Sequence, residues 1–489
     1  MRRNRYARYS GHSGRSRLPA VLCAVLIVAV LSCAVYFTVR GVGKLLQKEA
    51  PAPSPTLMLP TPTPAPTPPP AVVTPDPEEV AGPLERDRCR LDISLDMEAH
   101  TLTCIQQVEW TNRSEDSLSE VVFRLYPNAL TNGENTPMTN RQKAFPQGIQ
   151  TEGIVLKSIL ADGLPAAYTV DGKLGTTLRV SLPSPCQSGE GATVTLAYSL
   201  ALPKGFYPLS YSATGAQCAW FYPMAAVYEE GRWALTDIVE SGAPWFQPAA
   251  DVEAVIRVDS NLAFACSGDV QSVSETGSRR LYTVLSPNTR DFAFAVTTHG
   301  RMATAQSSGV TVTCYAAYNE KASYMANRAA DMITYYESLL GQCPVSTLEI
   351  VQATLANSPS VHGGLIVVDG SLVQGKAANL EYRLAAAVAR QWFGQSVGAG
   401  YADDQKLHTP MCQYLAALYL QHKEASNAEA AMEDPGAAKM DSLRLSVGSS
   451  RFDPALKEYC AQYAGKKGGL EAFAQLFGDS AEEVRRALG

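Results

Sequence analysis

Leu380-Glu381-Tyr382-Arg383-Leu384-Ala385-Ala386-Ala387-Val388-Ala389-Arg390-Gln391-Trp392-Phe393-Gly394 is the run from which the rest of the chain is read. Leu380, Leu384, Val388 and Trp392 recur every four residues, and the alanines between them favour helix. Gly394 supplies a stop. One buried amphipathic helix over 380–394 is therefore expected.

The ending Gln391-Trp392-Phe393-Gly394 resembles the tail of the zinc helix in the membrane alanyl aminopeptidase family, the thermolysin-like gluzincins. There His-Glu-x-x-His runs directly into Gln-Trp-Phe-Gly. On that pattern the motif falls on Ala386, Ala387, Val388, Ala389 and Arg390, so both His and the Glu are replaced. The family's third ligand is a Glu nineteen residues beyond the second His, in a Trp-Leu-x-Glu-Gly-x-x-x-Tyr context. That spacing lands on Thr409, between Leu407 and Tyr414, which match.

Two imidazoles one helical turn apart, with a carboxylate from a following helix, hold Zn²⁺ and leave a fourth place for water, which the motif's Glu deprotonates. Alanine offers no lone pair. A fixed cation at 390 repels the metal ion it would have to bind. Zinc is the cofactor the resemblance implies, yet with all four positions changed no cofactor is expected here.

The resemblance reaches further than this helix. Asn112, Phe123-Arg124-Leu125-Tyr126-Pro127-Asn128-Ala129, Trp220-Phe221-Tyr222-Pro223-Met224-Ala225-Ala226-Val227-Tyr228, Trp233 and Arg290-Asp291-Phe292-Ala293-Phe294-Ala295 look like the family's saddle-shaped amino-terminal β-domain. His362-Gly363-Gly364-Leu365-Ile366-Val367-Val368 resembles its Gly-x-Met-Glu-Asn edge strand, in which a Glu binds the substrate's free amine. Ile366 stands in that Glu's place, and Gly363 and Gly364 join it as cleft candidates. Tyr463, ahead of Lys466-Lys467-Gly468, corresponds to the family's transition-state tyrosine, with two extra residues intervening. Read for propensity alone, Trp220, Tyr222, Trp233 and Trp245 are core or rim aromatics.

Periodicity supports the same division. From about residue 86, Cys89 to Met97 and Thr101 to Asn112 alternate apolar and polar as a hairpin, and strands continue to about 300. A hairpin turning near Glu98 pairs position 89 with about 108 and position 104 with about 93, so Cys89 and Cys104 are not opposite each other. Past 310 come a strand at 310–316, a helix at 321–340, a strand at 347–351, and helices at 411–424, 442–445, 456–463 and 469–477.

The chain has 489 residues, 46% of them hydrophobic and 18% charged, as expected for a globular protein of several domains. Six Arg and no acid occupy residues 1–17, which leaves 35 basic against 47 acidic residues beyond them. That balance argues against nucleic-acid binding. Residues 18–39 carry no charge over 22 positions, about 33 Å of helix, enough for a bilayer core. The Arg-rich flank places the N-terminus in the cytoplasm. A cleaved signal peptide would have a shorter apolar run and a small-x-small site, and a lipoprotein cysteine at Cys33 would not be followed by apolar residues through Val39. Residues 51–77 hold 12 prolines and read as a polyproline stalk. Eleven Cys, two of them in the apolar segment, show no Cys-x-x-Cys pair.

The expected organisation is a basic cytoplasmic tail (1–17), a transmembrane signal anchor (18–39), a Pro-rich stalk (40–85), an all-β domain (86–303) and a thermolysin-like, mainly helical α+β domain (304–489). The expected function is that of a single-pass, cell-membrane, extracytoplasmic homologue of zinc aminopeptidases without their catalysis, which binds a peptide or protein partner through the cleft. Two alternatives stand beside it. One is an active zinc peptidase with displaced ligands, drawn from His362, His408, Glu381, Asp403 and Asp404; the other is a structural envelope protein. A Cys412 nucleophile beside His408 is opposed by its apolar neighbours. No Gly-x-Ser-x-Gly elbow, P-loop or dinucleotide turn is present.

Overall fold

A computed structural model describes residues 85–131, 136–239, 247–356 and 359–489. The basic tail, the apolar segment 18–39, nearly all of the stalk and Trp245 lie outside the described residues. Among the described residues no helix is long and apolar enough to cross a membrane.

The hairpin forms in the register its alternation dictates. Asp87–Asp96 pairs with Thr101–Thr111, setting Cys89 opposite Val108 and Ile93 opposite Cys104. The turn is fixed by the Asp96 carboxylate, which accepts from the backbone N–H of Glu98 and Ala99 at 2.9 and 2.8 Å. This hairpin is the centre of an eight-stranded sheet, flanked on one side by Ala250–Asp259 and on the other by Gly191–Ala201. The Asp87–Asp96 and Ala250–Asp259 strands run parallel, and the sheet's other pairings are antiparallel. Two four-stranded sheets and a two-stranded ribbon, Tyr228–Glu229 with Arg232–Trp233, complete the β-rich part around one apolar core that includes Leu91, Ile93, Val121, Phe123, Leu196 and Phe294. The nine described cysteines are buried free thiols.

The second part opens with a mixed five-stranded sheet ordered Arg301–Ser307, Val310–Ala316, Thr347–Ala353, Leu365–Asp369, Ser360–His362. The boundary expected at 303 falls inside its first strand. The Asn319–Leu340 helix links the parallel strands Val310–Ala316 and Thr347–Ala353 and buries Met325, Ala329, Met332, Ile333 and Tyr336 against them. Helices Ala377–Ala389, Thr409–His422, Pro435–Val447, Ser449–Gln462 and Ala481–Leu488 pack around that core. The last helix has only Val484 and Leu488 on its buried side, too few to form an apolar stripe visible in the sequence.

Two expectations need correction here. The 380–394 helix runs from Ala377 to Ala389, five residues short of the glycine. Gln391 to Gly394 form a tight loop closed by the Gly394 N–H on the Val397 carbonyl at 2.8 Å, and Gly394 turns it with φ +99°. Second, Ile366 is not on an edge strand. Leu365–Asp369 has neighbours on both sides, the edge is Ser360–His362, and Ile366 is completely buried against the helices.

Arg290 ties the two parts together. Its buried guanidinium donates to the carbonyls of Gln247, Gln395, Ser396 and Lys466 at 2.7–3.0 Å. Gly398 permits this approach, since a Cβ there would lie 2.5 Å from the guanidinium carbon. An alanine-rich seam of Ala219, Ala265, Ala293 and Ala295 closes on Val351, Ala353, Leu365 and Val367. Small side chains let the two sheets meet at short range.

Candidate functional site

One face of the Ala377–Ala389 helix stays open to solvent: Asn379 and Arg383 are exposed, and Ala386 and Arg390 are partly so. The spacing of three to four residues puts them in one stripe. Ala386 therefore looks outward, as a ligand position would, whereas Ala387 is turned into the core with 2% exposure.

At the end of the stripe Arg390 grips Asp404 with both arms, Nη1 donating to Oδ1 and Nη2 to Oδ2 at 3.1 Å. Nη2 also donates to Thr409 Oγ1 at 2.8 Å, and that hydroxyl donates to Asp404 Oδ2 at 2.8 Å. The three groups form a closed ring. Asp404 comes from a five-residue π-helical turn, Asp404–His408, that leads directly into the Thr409–His422 helix. Such wide turns recur at functional positions. Burial pushes the Asp404 carboxyl up, but the charge and hydrogen bonds of Arg390, helped by His408 and Thr409, outweigh it and hold the group below the usual carboxylate range.

His408 lies beneath this ring, fully buried. Its Nε2 shares a 2.8 Å hydrogen bond with the Tyr459 hydroxyl, and its Nδ1 sits 4.0 Å from Asp404 Oδ1. Burial drives the imidazole down to about 4 against the pull of Asp404, so it is neutral at pH 7. Cys412, one turn on, is buried, and burial pushes its thiol up to about 12, which leaves no thiolate for attack. Tyr463 caps the Ser449–Gln462 helix with its ring 5.3 Å from that of Tyr459. Tyr459, which no motif in the sequence marks, is the tyrosine whose hydroxyl bonds His408.

The other candidate ligands are engaged elsewhere. Glu381 is buried between Arg328, at 3.2 Å, and the Tyr324 hydroxyl, at 3.2 Å. Asp403 packs against Gly469, where a Cβ would come within 2.3 Å of its Oδ2. His362 bonds Asp291 through Nδ1 at 2.6 Å and Ser360 through Nε2 at 3.0 Å. Gly363 and Gly364 form the turn after it. Gly364 has φ +75° and donates to Gln391 Oε1, and Gly363 faces Thr289. Trp220 is half-buried and bonds Asp291, Tyr222 is buried, and Trp233 packs on Trp110 and Tyr228.

These residues do not fit a zinc ion. Position 386 has no donor atom, position 409 offers a hydroxyl already committed to a carboxylate, and a guanidinium fills the space beside it. Among the described residues, no cluster of three or more His, Cys, Asp or Glu could hold a metal.

No described protein family and no curated protein matches the sequence. Solved structures do match in fold. The M1 zinc metallopeptidase from Deinococcus radiodurans superposes with a TM-score of 0.57 at 15% identity over 82% of this chain and 92% of that one. A mutant of it gives 0.58 at 14% identity over 82% and 93%. A mutant two-domain M1 zinc metallopeptidase bound to L-arginine gives 0.58 at 15% identity over 83% and 95%. The chain therefore has the β-rich plus helical fold of the M1 zinc metallopeptidases.

Proposed function

We propose that this chain is a membrane-anchored, extracytoplasmic relative of the zinc aminopeptidases that has exchanged its metal centre for an Arg–Asp–Thr lock. It does not carry out zinc-dependent peptide hydrolysis, and it binds a peptide or a protein partner along the cleft face of the Ala377–Ala389 helix. The observation that carries this reading is the 2.8 Å bond between Arg390 and Thr409, which joins the two positions where a gluzincin places its second and third ligands. Convergence of these positions supports a retained frame, and the guanidinium between them supports the loss of the metal. A positive charge neutralised by Asp404 also stands where bound Zn²⁺ would add two more.

The test is metal content and hydrolysis. The purified full-length protein, dialysed after exposure to zinc, should carry far less than one zinc per chain and release no amine from aminoacyl anilides. One zinc per chain that survives dialysis, with chelator-sensitive hydrolysis, would overturn the proposal.

A further inference from the structure

Away from the lock, Ser360, His362 and Asp291 line up as a relay. Ser360 Oγ lies 3.0 Å from His362 Nε2, and His362 Nδ1 lies 2.6 Å from Asp291 Oδ2. We propose that these residues form a hydroxyl nucleophile, its base and the carboxylate that orients the base, and that Ser360 accepts the acyl group of a carboxylic ester.

Burial is arranged as this chemistry requires. His362 and Asp291 are shielded, with side chains 2% and 11% exposed, while Ser360 is half-exposed on the outer strand of its sheet. A carboxylate on Nδ1 fixes the proton there and leaves the Nε2 lone pair facing the hydroxyl. Ser and His two apart on one strand point to the same side, so the nucleophile–base pair is preset by the strand itself.

Two further anomalies gather on the same carboxylate. Trp220 donates its indole N–H to Asp291 Oδ2 at 3.1 Å, yet it does so from φ +53°, a conformation that bulky side chains rarely adopt. Strain of this kind collects at functional positions. The other oxygen, Asp291 Oδ1, is buried without a hydrogen-bond partner among the described residues, and so is the hydroxyl of Tyr207, whose ring contacts Trp220. A hydrogen-bonded strut between the two sheets would need neither the strain nor the orphaned oxygens. The Trp220 ring, edge-on to His362 with centroids 5.7 Å apart, suits an apolar or aryl acyl group.

The reaction balances without a metal. Ser360 Oγ bonds to the ester carbonyl carbon as its proton passes to His362 Nε2. The carbon–oxygen bond to the leaving group then breaks, and the departing alcohol takes that proton. Water, deprotonated by the same nitrogen, attacks the acyl carbon, which releases the carboxylic acid and returns the proton to Ser360.

Full-length protein should take up one fluorophosphonate per chain on Ser360, located by peptide mass spectrometry. It should also turn over p-nitrophenyl acetate about 100-fold faster than Ser360→Ala, a size expected for loss of a nucleophile or base. Asp291→Asn, checked for folding by near-UV circular dichroism, should slow labelling while Ser360 stays present. Chelators should change neither readout, which separates this site from any zinc site. Folded wild-type protein that takes no label, or takes it on another residue, or hydrolyses ester no faster than Ser360→Ala, would overturn the proposal and leave the metal-free reading of the Arg390 site standing.

Discussion

Arg390 Nη2 donates to Thr409 Oγ1 across 2.8 Å, although the residues are nineteen apart and belong to successive helical segments separated by a loop and a π turn. In a metal site two such positions are held together by the ion between them. Here the guanidinium bridges the two segments, because its fork satisfies the carboxylate of Asp404 with two parallel bonds and still reaches the hydroxyl.

The lock should therefore be worth more broken than whole. Arg390→Ala leaves the Asp404 carboxylate buried with its main partner gone, which should cost about 3–5 kcal/mol of unfolding free energy. The Arg390→Ala/Asp404→Ala pair should cost clearly less than the sum of the single changes. Urea denaturation of all four proteins measures the coupling. Additive single costs would show that the pair does not act as a unit.

Zinc affinity should be recoverable on the outward positions. Ala386→His, Arg390→His and Thr409→Glu together supply three ligands with one open place, and calorimetry should detect zinc in this variant and not in the parent. Without adapted supporting hydrogen bonds, affinity should fall about 10–100-fold below that of an evolved site. Adding Ala387→Glu should destabilise the protein, since that side chain points into the core. A folded triple variant that binds no zinc would mean that the three positions do not converge.

Acid should weaken the fold through His408. An unfolded imidazole protonates near pH 6.5, whereas burial delays protonation in the fold to about 4. Between those values the unfolded chain binds a proton that the folded one refuses, so the His408 contribution to stability falls as pH drops through that window, by up to about 3 kcal/mol, while the buried Glu349 carboxyl, pushed up to about 7 by burial, works in the opposite direction over the same range. Asp404, held below the ordinary carboxylate range, adds its loss only at still lower pH. His408→Gln should flatten the fall between pH 7 and 4.5. Equal slopes for variant and wild type would place the proton on His408 already in the folded state.

Topology can be checked on cells. With six Arg ahead of the uncharged 18–39 segment and a Pro-rich stretch behind it, protease added to intact cells should release the part of the chain beyond residue 85. Full protection while the cells stay intact would reverse the orientation.

Much of the architecture was legible in the sequence because it rests on local periodicity. The Cys89–Val108 register followed from alternation and the position of one turn, and the crossover helix from its apolar stripe. Arg390 and Thr409, singled out in the sequence by their spacing, are joined in the structure by a 2.8 Å hydrogen bond. Tertiary structure decided the rest. Read alone, Arg390 is a cation that repels metal; only the π turn, which swings Asp404 beneath it, makes it one half of a buried pair. That Ile366 lies on an inner strand and is fully buried is set by its strand's two neighbours, which no local pattern names. Asp291 and His362 are 71 residues apart and meet because two sheets dock through alanines. Side-chain period is written along the chain, but the partner of a charge or an imidazole is set by how distant surfaces close, and that depends on shape and burial which no local pattern encodes.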